Sequence, residues 1–124
     1  MNGTSLILAL IGHLVGDYLF QNDWMALNKK SFYGGLNCAV HCLLWTASVM
    51  LFAGWVWCSW HTLVVWMILF WTHYVQDRTN VIRAWMDLIG QNKFRTGQCA
   101  PWSMIVVDNV WHIVTIWAVW RFIA

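Results

Sequence analysis

Four apolar runs, at about residues 4–20, 36–57, 62–77 and 103–123, fill most of the 124-residue chain, and the polar connections between them are short. A helix needs roughly 17 to 25 apolar residues to cross a bilayer, and only helices or closed barrels satisfy their backbone groups there. The runs therefore predict an all-α integral membrane bundle of four transmembrane helices, one transmembrane domain over residues 1–124. Composition agrees: 60% of residues are hydrophobic and 10% charged, and twelve are tryptophan, which favours the headgroup boundary. A net charge of +2, spread along the chain, argues against a nucleic-acid partner.

Short polar segments punctuate these runs. Gln21 to Lys30 reads as a surface helix with Asn22 or Asp23 as its N-cap and lysines at its C-terminal end. From Asn80 to Gln91 the apolar residues Val81, Ile82, Trp85, Met86 and Ile89 recur with helical period, and Arg83 and Asp87 pair at i, i+4. That predicts a second interfacial amphipathic helix, with the third span continuing beyond the membrane toward it. Residues 57–61 form a tight turn at the opposite face, where His61 is interfacial rather than a ligand. The first residues, Met1 to Ser5, lack a basic residue and a small-residue cleavage site, so the N-terminus is expected to be retained.

Charge sets the orientation. Lys29, Lys30, Arg78, Arg83, Lys93 and Arg95 all fall on the connections after the first and third spans, and Arg121 alone lies on the other side. Positive residues favour the cytoplasm, so the expectation is a bacterial inner-membrane protein with both termini outside and both interfacial helices on the cytoplasmic side.

Against this apolar background, three His/Asp pairs stand out: His13/Asp17, His73/Asp77 and, in reversed order, Asp108/His112. Four residues of separation puts each pair on one helix face. Spans one and three run inward and span four outward, so in every pair the aspartate lies nearer the cytoplasm and the histidine about 6 Å deeper. His41, near the start of span two, falls at the same level. Each buried carboxylate costs about 2.5 to 3.5 kcal/mol even on a lenient insertion scale, so the three need partners. His13, Asp17, His41, His73, Asp77, Asp108 and His112 are the candidate ligands of one or two divalent ions. Mixed nitrogen and oxygen donors favour zinc, manganese or iron over copper.

Neighbouring residues carry weaker signals. Gly12 and Gly16 form a small-xxx-small surface for close helix approach. Gln21, Gln76, Asn80 and Asn109 cluster at the predicted cytoplasmic mouth, and Arg78 either meets a phosphate or snorkels to the boundary. Cys38 and Cys42 share a helix face beside His41, where thiolate ligation and small-residue packing are both open and packing is preferred. None of the four cysteines forms a CxxC motif.

The stretch His13-Leu14-Val15-Gly16-Asp17-Tyr18-Leu19-Phe20-Gln21, with Asp23-Trp24-Met25-Ala26, Lys29, His41, His73/Asp77 and Asp108/His112, resembles an uncharacterised family of small bacterial and phage membrane proteins. The resemblance covers nearly the whole chain and implies a shared site without an assigned reaction. A looser similarity, resting on intramembrane His and Asp alone, connects it to membrane-bound metal-dependent hydrolases.

The leading expectation is a metal-dependent hydrolase at the cytoplasmic leaflet, with membrane lipid as partner and a lipid or lipid-linked phosphoester or ester as substrate. The chain has no glutamate, and Asp17, beside Gly16, is the candidate catalytic base. Divalent-cation or proton transport is the alternative, for which four spans would need a homo-oligomer to alternate access. A third is a non-catalytic phage or bacterial membrane factor with a structural metal.

Overall fold

The computed structural model describes residues 3–27, 29–55 and 59–123. Among these the chain is all-helical: α1 (Gly3–Tyr18), α2 (Asp23–Ala26), α3 (Gly35–Ala53), α4 (Trp60–Arg78), α5 (Val81–Leu88), α6 (Asn92–Thr96) and α7 (Trp102–Phe122). The four long helices form a closed square in which α1 packs on α3, α3 on α4, α4 on α7 and α7 back on α1. Such a ring converges four faces on one axis.

Packing is tightest between α1 and α3, and glycine is the reason. A Cβ on Gly12 would lie 2.7 Å from the Ser48 carbonyl oxygen and 2.9 Å from Val49 Cα, and one on Gly16 would lie 2.9 Å from the Trp45 ring. The two backbones meet with no room for a methyl group, as the small-xxx-small spacing predicts. Ser48 Oγ donates to the Gly12 carbonyl at 2.8 Å across the same contact.

One half of the square is mostly apolar. Ala9, Trp45, Val49, Val65, Leu69 and Ile116 are at most 3% exposed and form its core. Further along the axis the core gives way to His13, His41, His73 and His112, all buried. Polar residues thus occupy the end from which α2, α5 and α6 are built.

Local chemistry sets the helix ends. Asn22 caps α2, its Oδ1 accepting from the Met25 amide at 3.0 Å, yet α2 is a single turn instead of the longer surface helix expected. Gly54, at φ 71°, takes the left-handed conformation and closes α3 at Ala53, short of the expected Trp57. The turn expected at residues 57–61 falls partly outside the described residues, since Val56, Trp57 and Cys58 are not among them. At the start of α4 the Ser59 hydroxyl accepts from the Thr62 amide.

Two expectations near α5 are corrected. The third run does not continue through Asn80: Thr79 is extended and ends α4, and α5 restarts at Val81. Asp87 pairs with Arg95, at 2.8 Å, and not with Arg83, because α6 folds back alongside α5 and brings a guanidinium to the carboxylate. The amphipathic reading of this segment stands, with Ile82 and Met86 buried and Arg83 and Asp87 exposed.

Two helices, α3 and α7, are long and apolar enough to cross a membrane by length and composition. At 16 residues α1 is shorter, and α4, though 19 residues long, is diluted by Trp, His, Tyr and charged residues. Large apolar side chains still face outward from all four, including Leu14, Leu51, Leu63 and Val110, each at least half exposed.

Candidate metal centre

Helical spacing delivers the site from four directions. From α1 come His13 and Asp17, from α3 His41, from α4 His73 and Asp77, and from α7 Asp108 and His112. The four imidazoles form one layer: His73 stacks on His112 at 4.1 Å between ring centroids, His41 lies 5.0 Å from His73, and His13 lies 5.6 Å from His112. Trp45 floors that layer, its ring 4.1 Å from His73, and separates it from the apolar core.

Four donor atoms converge most closely. His41 Nε2 and His73 Nε2 are 3.0 Å apart. Asp17 Oδ1 lies 3.2 Å from the first and 3.8 Å from the second; Asp77 Oδ2 lies 3.3 and 3.5 Å from them. Ligands bound tetrahedrally at about 2.0 to 2.1 Å sit about 3.4 Å from one another, so these separations are those of a small coordination polyhedron. Asp17, His41 and His73 form one group able to hold an ion, and His73, Asp77 and His112 another. Both include His73, and its Nε2, which faces His41, has a single lone pair that serves one ion. A second ion would therefore have to rest on the other oxygen of Asp77 together with His112.

His13 and Asp108 stand one step out. His13 Nδ1 lies 3.1 Å from Asp17 Oδ2 and also 3.0 Å from the Trp45 indole N–H, which can only donate. One nitrogen cannot accept from the indole and donate to the carboxylate at the same time, so His13 Nδ1 holds either Trp45 or Asp17, and in both cases it is turned away from the centre. Asp108 Oδ2 lies 3.3 Å from His112 Nε2 and, at 30% side-chain exposure, is the most accessible of the three carboxylates. Asp17 is 14% and Asp77 8% exposed.

Charge leaves a deficit that a cation would fill. Three carboxylates meet one lysine: Lys29 Nζ lies 2.5 Å from Asp77 Oδ2 and donates to Gln21 Oε1 at 2.7 Å. The carboxylates thus outnumber the one ammonium group that contacts them, an excess of negative charge that a cation would offset. The connection carrying Lys29 is pinned over the bundle by Arg78 Nη1, which donates to the Lys29 carbonyl at 2.7 Å.

Lys29 and Trp45 are the site residues that the His/Asp pattern did not single out. Trp45 had a signal, being one turn from His41 on the same face. Lys29 had none within the spans, because a loop carries it in. Cys38 and Cys42 place their Sγ atoms 3.9 Å apart, and with Asp77 they form a third group able to hold an ion. Of the expected polar mouth, Gln21 contacts Lys29 and Gln76 is partly buried, while Asn80 receives only a 3.4 Å contact from Lys30. Asn109 turns away, donating to the Ile105 carbonyl of its own helix. His61 is exposed on the first turn of α4, at the far end from the centre.

A family described as a protein of unknown function, DUF3307, matches residues 5–124, and the chain belongs to it. No curated protein and no solved structure matches.

Proposed function

We propose that this DUF3307 protein is a four-span membrane protein and a metal-dependent hydrolase, acting at the cytoplasmic leaflet on a lipid or lipid-linked phosphoester or ester. The observation that carries the proposal is that His41 Nε2 and His73 Nε2 lie 3.0 Å apart and that Asp17 Oδ1 and Asp77 Oδ2 each lie 3.2 to 3.8 Å from both. Those four residues would hold one ion of zinc, manganese or iron, with His112 and the second Asp77 oxygen beside it. A bound divalent ion supplies Lewis acidity and an acidified water.

The remaining residues divide the protein's own work. Both oxygens of Asp17 are engaged, one toward His41 and His73 and the other at His13, which leaves it poorly placed as the general base expected from sequence. We assign that role to Asp108, the more exposed carboxylate, paired with His112. Lys29 holds Asp77 in position and offers positive charge to an anionic group. Its position at the predicted cytoplasmic mouth supports a substrate entering from that side.

Transport is the weaker reading. Below the histidine layer lie Trp45, Leu69, Val49 and Ile116, apolar and packed, and among the described residues the buried polar side chains there, Thr46 and Ser48, carry no ionisable group. For four spans rather than two, the support is the square packing itself. With α3 and α7 crossing the membrane, α1 and α4 pack between them along the same axis and expose apolar side chains as they do.

Elemental analysis of detergent-purified protein tests the centre. Wild type should carry close to one equivalent of metal, lost in His41→Ala/His73→Ala. Phosphate or acyl release from lipid substrates should vanish with it, and also in Asp108→Asn, which should keep its metal. A wild-type protein that stays metal-free after reconstitution would overturn the proposal.

A further inference from the structure

Three cavities that share lining residues run from the metal centre to the side of the bundle. At the mouth, a cavity of about 340 Å³ is bounded by Lys29, Lys30, Ser31 and Asp77. It shares Lys30 and Asp77 with a throat of about 170 Å³, which also touches Asp108, Met104 and Ile105. Beyond Gln76 and Ile82, which line both, the throat meets a chamber of about 500 Å³ between α4, α5 and α7. Its wall is Trp71, Val75, Ile82, Trp85 and Trp111.

The chamber is apolar even where its residues are not. Thr72 and Thr115 both turn their hydroxyls onto their own helix, donating to the Ile68 and Trp111 carbonyls at 2.7 and 2.9 Å, and so present methyl groups. At its junction with the throat, Gln76 Nε2 is buried without a hydrogen-bond partner among the described residues. A buried donor left unpaired costs about 1 to 3 kcal/mol, and an ester or phosphate oxygen beside it would remove that cost. The gradient therefore runs from two ammonium groups, past carboxylates and an amide donor, to hydrocarbon. It matches a molecule with an anionic head and an apolar chain.

We infer that this groove binds a lipid phosphate, with the phosphate between Lys29, Lys30 and the Asp77/Asp108 end of the centre and the chain in the Trp71–Trp85–Trp111 chamber. The inference rests on the hydrolase reading for its orientation, and it commits that reading to a phosphate-headed lipid. A chamber of this size lies within the range that holds small ligands.

Equilibrium binding of hexadecyl phosphate to the full-length protein in a neutral maltoside detergent tests it, with hexadecyltrimethylammonium and inorganic phosphate as competitors. Neither competitor should displace the probe at equal concentration. Thr115→Trp, which fills the chamber, and Lys30→Gln, an exposed substitution, should each weaken binding about tenfold, while Thr115→Ser should bind as wild type. Equal competition by the cationic amphiphile, equal competition by inorganic phosphate, or unchanged binding in Thr115→Trp would each overturn the groove. Metal analysis of the same samples separates the two proposals. Metal without probe binding would remove the groove and leave the centre; probe binding without metal would remove the centre and leave the groove.

Discussion

His41 and His73 aim their Nε2 atoms at each other across the α3–α4 contact, 3.0 Å apart, with a carboxylate oxygen from α1 and another from α4 on either side. Two neutral imidazoles in this contact can share one hydrogen bond at most, and then only if one ring carries its proton on Nδ1. In both rings Nδ1 is buried without a partner among the described residues. A cation could take both Nε2 lone pairs, with the proton of each ring then carried on Nδ1.

Ligand and tether should separate by mutation. His41→Ala or His73→Ala removes a cage nitrogen, and metal content measured by mass spectrometry should fall to background. His13→Ala leaves the cage atoms in place but removes the ring that packs between Asp17 and the Trp45 indole, so affinity should drop about 10- to 100-fold, with metal retained at saturating concentration.

Gly12→Ala should destabilise the bundle. Its methyl group would press on the Ser48 carbonyl at 2.7 Å and on Val49 Cα, both backbone atoms of a packed helix. A cost of about 1 to 3 kcal/mol follows from overpacking of this kind. Thermal unfolding in detergent should show a clear drop in midpoint, whereas Gly3→Ala, with open space around it, should not.

Removing the metal should leave the helices standing. The apolar core of Ala9, Val49, Leu69 and Ile116 and the close approach of Gly12 to Ser48 and Val49 do not involve the centre. Chelation should change the far-UV circular dichroism little; collapse of helicity would identify the ion as a structural staple instead.

Lys29→Gln should tighten divalent-cation binding. The ammonium on Asp77 Oδ2 repels a second cation at the same carboxylate, and its removal lifts a repulsion worth at least about tenfold in affinity at an effective dielectric near 20. Competition against a metal-responsive chelator dye would read the change. Weaker binding would mean that Lys29 acts mainly by orienting Asp77.

The His/Asp layering was legible because it depends on two simple rules: a helical period of 3.6, and reversal of direction between successive long helices. Asp87 shows where such rules stop. On its own helix Arg83 is the natural partner, but α6 returns to the same place and supplies Arg95. The break at Thr79 was equally hidden, since the apolar period of residues 81–89 reads smoothly into the preceding run.

By itself the sequence determined the helical class, the close approach at Gly12 and Gly16, and which residues share each helix face, because all three follow from spacing and side-chain size along one chain. Only the tertiary structure decided which donor atoms lie within 4 Å of one another, that Lys29 reaches Asp77 from 48 residues away, and that Trp45 separates the histidine layer from the apolar core. Those are properties of how four helices close into a square, and no single helix contains them.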